Sequence, residues 1–145
     1  TPKMATAGGT AESPAEMTDF YPTLAELAGL KKPDFVAGVS LAPALKDVTA
    51  TPRESALTQY ASGYSIRTKR YRYTEWGKDG ADGNELYDHT SDPQEMKNLA
   101  GDNSQAETVA RLSKMLRQRV REANKFPDGL KRIEGNVKPK RIPPT

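Results

Sequence analysis

The residues of this chain that could do chemistry are few. There is no cysteine, and His89 is the single histidine. Thiol nucleophiles, thiolate metal sites and disulfides are therefore excluded, and one imidazole cannot build a His-rich metal centre or a repeated acid–base relay. His89 stands near Asp88 and Asp92, a set that could be imagined around a metal ion. A polar surface turn has the same composition, and no second histidine completes the set. Asp79 and Asp82 lie in a glycine-bearing loop without the later acid of an EF-hand, so they read as turn formers rather than calcium ligands. No catalytic residue and no metal ligand is assigned within the 145 residues.

What remains is a strip rich in arginine and aromatic residues, GYSIRTKRYRYTEW at 63–76. Lys69, Arg70, Tyr71, Arg72 and Tyr73 could be read as a surface that stacks on and neutralises single-stranded nucleic acid. The net charge of only +3, with a pI near 9.1, argues against that partner. Strand alternation also puts Tyr71 and Tyr73 on the face opposite Arg72, where the rings enter a core. The remaining excess of positive charge sits in a tail carrying Lys138, Lys140 and Arg141.

The elements that must position these residues follow from periodicity and punctuation. At 35% hydrophobic residues and a mean hydropathy of -0.77 the chain is long enough for one modest core. No apolar run approaches the roughly 18–20 residues that cross a bilayer, so no membrane partner is expected. The start lacks the basic and apolar regions of a secretory signal and is not methionine, which suits a processed or internal piece. In DFYPTLAELAG (19–29), Asp19 is placed to cap a helix, Pro22 falls in its first turn and Gly29 suits its left-handed stop. Phe20, Leu24, Leu27 and Ala28 then share one face.

Pro33, Gly38, Pro43 and Pro52 mark a loop with one helical turn near 40–45. Short aromatic or β-branched runs at 55–60, 63–68 and 71–76 read as strands, with a tight turn at Lys69–Arg70 and a fourth strand at 85–88. Asp92, Pro93 and Glu95 resemble an N-cap, first-turn proline and N3 acid, predicting a helical turn that ends near 98–101. A helix over 104–123 opens on the capping box Ser104–Glu107 and buries Val109, Leu112, Leu116 and Val120 on one stripe, leaving Arg111, Lys114, Arg117, Arg119 and Arg121 mostly off it. The fold class is therefore α+β, a small three- or four-stranded antiparallel sheet packed by the C-terminal helix. Residues 137–145 read as a basic, proline-rich, extended tail.

Four segments in this order, DFYPTLAELAGL (19–30), Gln59–Tyr60, the 63–76 strip, and ELYD (85–88) with Asp92, Pro93, Glu95 and 98–101, resemble the C-terminal part of the sulfatase family, in particular its iduronate-2-sulfatase-like branch. One departure is that only Ala61 and Ser62 separate Tyr60 from Gly63, where that branch carries a longer insertion. The resemblance implies an alkaline-phosphatase-like parent enzyme that hydrolyses sulfate esters, with a formylglycine nucleophile and Ca²⁺ on a larger N-terminal part. No formylglycine motif occurs in this sequence.

The same resemblance divides the chain into 1–30, the end of a large α/β domain; 31–54, a linker; 55–124, the C-terminal subdomain; and 125–145, the tail. It implies an N-terminal catalytic sulfatase chain as partner, a sulfated sugar as substrate, and a secreted, periplasmic or lysosomal location. Gln59, Tyr60, Arg67 and Trp76 would border the substrate cleft. The bland alternatives are that Arg67 pairs with an acid and that Trp76 packs beneath the sheet. A helix shaped to cover another segment's sheet would expose Phe20, Leu24 and Leu27 when alone. The rival reading is a stand-alone binding or structural module.

Overall fold

The computed structural model describes residues 6–130, and the basic tail expected at 137–145 lies outside them. Four strands form one antiparallel meander in chain order: β1 (Ser55–Tyr60), β2 (Gly63–Thr68), β3 (Tyr71–Trp76) and β4 (Gly83–Asp88). They follow helices α1 (Phe20–Leu27) and α2 (Ala42–Lys46) and precede α3 (Ala106–Ala123). The architecture is α+β. Short local connections explain the meander: two residues join β1 to β2 and two more, Lys69 and Arg70, join β2 to β3.

One face of the sheet is closed by α3. Ile66, Tyr73 and Leu86, cross-strand neighbours, meet Leu112 and Leu116 of the helix to form the buried core. Val109 and Val120 flank that contact, as the helical stripe predicts. A polar anchor sits beside it. The Glu75 carboxylate accepts from Arg117 Nε and Nη2, from Ser113 Oγ and from the Tyr73 hydroxyl. Burial pushes the Glu75 carboxyl up, but Arg117, Ser113 and Tyr73 outweigh it and hold the group below the usual carboxylate range. No helix among the described residues is long and apolar enough to cross a membrane.

Local expectations fail where side chains found better partners. β4 begins at Gly83 rather than at residue 85, because Gly83 and Asn84 pair with Trp76 and Glu75. The capping box of Ser104 and Glu107 does not form, since Asp102 accepts from the Ser104 amide and starts the turn that leads into α3. No helical turn forms at 92–98. Glu95 instead takes a left-handed backbone, φ 58°, and sends its carboxylate to Arg72 and His89. The same segment covers the outer edge of β4: the Asn98 side chain accepts from Leu86 N, and Leu99 N donates to the Leu86 carbonyl.

Asp19 does not cap α1 with its side chain. It is fully buried and accepts from Arg53 Nε and Nη2, Glu16 N and Val39 N. Glu16 adds a second layer, its Oε1 accepting from Arg53 Nη1 at 2.9 Å, Arg119 Nη2 at 2.8 Å and the β1 amide of Leu57 at 2.8 Å. Gly38 permits the approach, because a Cβ there would stand 2.0 Å from the Thr18 carbonyl oxygen. This cluster ties the α1 segment to the sheet and to α3. Burial alone would raise the Asp19 carboxyl, but Arg53 and the two amides hold it below the usual range.

Helix α1 buries Pro22 and Thr23 against this cluster and turns its apolar face outward. Phe20, Leu24 and Leu27 are 53%, 65% and 49% exposed. The chain thus leaves uncovered the face that its sequence makes most hydrophobic.

Two outcomes are expected. Arg53→Met strands a buried carboxylate and should remove roughly 3–5 kcal/mol of stability in urea unfolding, whereas Lys114→Ala should stay within about 0.5 kcal/mol. Asp19 and Glu75 both titrate lower in the folded state, so the unfolded chain binds protons first on acidification. Their contribution is full above the ordinary carboxylate range and is lost as pH falls through the folded values. The thermal midpoint should drop on acidification, and Glu75→Gln should flatten that slope.

Candidate ligand-binding face

The sheet has a second face that no helix of the described residues covers. Register sets its side chains in three rows across the strands. The first holds Tyr60, Gly63, Trp76 and Gly83; the second Thr58, Ser65, Thr74 and Glu85; the third Ala56, Arg67, Arg72 and Tyr87. Aromatic groups therefore stand at one end, hydroxyls in the middle and two guanidinium groups at the other.

Each row has a local cause. The Trp76 ring lies across Gly63, where a Cβ would come within 2.6 Å of ring carbons, so glycine is what lets the indole lie down on the sheet. Tyr60, at the end of β1, is 77% exposed. In the middle row the Thr74 hydroxyl donates to Ser65 Oγ at 3.0 Å, and Ser65 Oγ donates to the Tyr73 carbonyl. In the third row Arg72 holds Glu95 through Nε and Nη1, each at 3.0 Å, and His89 Nε2 meets the same carboxylate. Arg67 Nη1 donates to the Thr68 carbonyl oxygen. Burial and the neighbouring Arg72 lower the Arg67 pKa against the pull of Glu95.

Three of the four residues singled out in the sequence, Tyr60, Arg67 and Trp76, share this face. Gln59 does not. It lies opposite Tyr64, which lies opposite Glu75, and so belongs to the side that α3 closes. Arg67 has no carboxylate within ion-pair distance among the described residues, unlike the paired arginine of the bland alternative. Glu95 and His89 are additions to the site. Nothing in the sequence showed that Glu95 would leave a capping role, since its backbone conformation depends on the partners that it finds across the sheet.

No three His, Cys, Asp or Glu side chains converge as a metal site among the described residues. With no cysteine in the sequence, these residues do not fit the Ca²⁺ and formylglycine of a sulfatase centre. What the arrangement offers is recognition: donors in a fixed fork suited to a carboxylate or sulfate, hydroxyls, and aromatic surface.

Comparison with known proteins identifies the family of the chain. Residues 1–122 match the family described as N-sulphoglucosamine sulphohydrolase, C-terminal. The chain is 31% identical over 129 residues to an N-acetylglucosamine-6-O-sulfatase of Bacteroides thetaiotaomicron, covering 81% of this chain and 23% of that protein. It is 36% identical over 101 residues to a Delta 4,5-hexuronate-2-O-sulfatase of the same organism, covering 63% of this chain and 21% of that one. Among solved structures it superposes on a protein in complex with its substrate D-glucosamine-2-N,6-O-disulfate with a TM-score of 0.65 at 28% identity, over 77% of this chain and 25% of that one. The chain spans less than a quarter of the length of the two curated relatives. It belongs to the sulfatase family, as a C-terminal domain of the N-sulphoglucosamine sulphohydrolase type.

Proposed function

We propose that this chain is the C-terminal segment of a sulfatase that hydrolyses sulfate esters of sulfated sugars, in the manner of the iduronate-2-sulfatase-like branch. Formylglycine and Ca²⁺ then reside on an N-terminal catalytic part, and this segment alone is inactive. The observation that carries the reading is the family match over 1–122 on a chain without a cysteine. When bound, the metal and the modified nucleophile would supply the charge stabilisation and the attack that sulfuryl transfer requires. The described residues would supply binding: Tyr60, Arg67 and Trp76 on the outer face form one wall for the sugar, and Gln59 acts from the far side of β1.

The exposed face of α1 supports a partner. Phe20, Leu24 and Leu27 form an apolar surface that a catalytic segment would cover. In this reading residues 1–30 end the large domain, 31–54 link it to the subdomain at 55–124, and Glu16 ties the first to the last through Leu57 and Arg119. The two curated relatives carry different sugars and sulfate positions in their names, so the shared region is assigned to the class of acidic sugar rather than to one position. The second reading, a non-catalytic binding or structural module, is favoured by the closed core, which needs no other segment.

Native mass spectrometry of material purified from its source, with intact masses after denaturation and an assay of sulfate release from sulfated disaccharides, separates the two. A larger chain or polypeptide bearing formylglycine, with sulfate release, is the expected result. A stable 15.9 kDa monomer that releases no sulfate and has no such companion would overturn the enzyme reading.

A further inference from the structure

The outer face of the sheet carries a charge arrangement that the fold itself does not need. Arg67 and Arg72 stand directly opposite each other on β2 and β3, and like charges at directly opposed positions destabilise a sheet. Arg72 is balanced, because its fork closes on the two carboxylate oxygens of Glu95. Arg67 is not. Among the described residues its guanidinium has a carbonyl oxygen as partner and no carboxylate at ion-pair distance. It is half-buried beside a second cation, and a guanidinium cannot relieve the repulsion by losing its proton.

Glu95 reaches Arg72 only by adopting φ 58°, a conformation that costs a non-glycine residue energy and recurs at ligand sites. Its carboxylate is also shared with His89. Of the other acids, Glu85 stands one row away on β4 opposite Thr74, and Asp92 lies close enough to act on Tyr87 of the third row. The third row therefore sets two guanidinium groups side by side with a direct carboxylate partner for Arg72 and none for Arg67. Along the same face, four residues or about 13 Å further down β3, Trp76 lies flat on Gly63, with the Ser65 and Thr74 hydroxyls between.

The geometry points to the Arg67–Arg72 pair as an anion-binding subsite, taking the sulfate or carboxylate of an acidic sugar chain whose rings run over the hydroxyl row towards Trp76. The inference rests on the reading that the substrate is a sulfated sugar, and it names where such a chain is gripped away from the reacting ester. Charge complementarity selects an anion, since a guanidinium fork pairs best with a planar or tetrahedral oxyanion. The indole lying flat on the same face favours a sugar over an acidic side chain, which would use the arginines alone.

Trp76 is the chain's only tryptophan, so its emission reports on the face directly. The chain is titrated with a heparin-type tetrasaccharide, with its desulfated and carboxyl-reduced forms, and with a neutral tetrasaccharide. Circular dichroism checks that each variant is folded. The intact tetrasaccharide should give a saturable change that weakens with salt, and the modified form that loses about tenfold identifies the anionic group. Arg67→Gln should weaken binding at least about tenfold, and Arg67→Lys, which keeps the charge without the fork, should fall between. Glu95→Gln should tighten binding several-fold by leaving both guanidinium groups uncompensated, an effect that a merely structural glutamate would not produce.

An equal response to the neutral tetrasaccharide, no response at all, or unchanged affinity in both Arg67 variants would overturn the inference. A longer sulfatase polypeptide containing this segment provides the second arm. If it releases sulfate while Trp76→Phe removes no part of the emission response to the tetrasaccharide, the face is covered by protein: the subsite falls and the enzyme reading stands. Binding to the chain without sulfate release from the longer polypeptide would do the reverse.

Discussion

The structure depends on one buried ion pair, Arg53 with Asp19. The carboxylate is fully buried and takes four donors, two from the guanidinium and two from backbone amides of segments far apart in sequence. Such a pair adds little net stability relative to an apolar pair of the same shape, yet removing either member is costly. Its value here is geometric. The sheet and α3 make a core that closes without the first 50 residues, and the ion pair is what gives those residues a single position against it. Glu16 extends the constraint to α3 through Arg119 and to the edge of β1 through Leu57.

The parts of this arrangement that were legible in the sequence are those governed by local pattern. Three strands begin and end where alternation and turn residues place them, and the Leu112 and Leu116 stripe of α3 meets the core as its spacing requires. What failed was the assignment of side-chain partners. Asp19, Glu95 and Ser104 each occupy a position that suits a helix cap, and each was outbid: by Arg53 across 34 residues, by Arg72 across the sheet, and by Asp102 two residues earlier. Capping is worth about 1 kcal/mol, so at Asp19 and Glu95 a charged partner brought close by tertiary structure prevails over it, and that partner is invisible to a local reading, whereas Asp102 competes with Ser104 locally. The placement of Gln59 on the face opposite Tyr60, Arg67 and Trp76 was implicit in the period of two along β1 and β2, because Gln59 and Tyr60 are neighbours and so cannot share a face.

The two faces of the sheet show how one scaffold divides its labour. On the inner face a glutamate is surrounded by arginine, serine and tyrosine until every oxygen is satisfied, and the result is a rigid attachment of α3. On the outer face Arg72 takes the one glutamate, the opposed Arg67 has a carbonyl oxygen as its partner, and aromatic residues stand on the same face. Saturated polar groups hold a protein together, whereas polar groups left short of partners are available to something else. The contrast between Glu75 and Arg67, eight residues and one sheet thickness apart, separates architecture from recognition within a single meander.

The edges of that meander are guarded unequally. Asn98 and Leu99 occupy the outer groups of β4 at its centre, whereas β1 is shielded by the Glu16 carboxylate on one amide, that of Leu57. A cut or disorder upstream of β1 would therefore remove the charged plug from an edge strand and leave bare backbone groups next to the exposed Tyr60. Unprotected edges pair with one another. The segment that positions α1 thus doubles as a guard against self-association through β1, and its loss would turn the subdomain into a template for strand exchange.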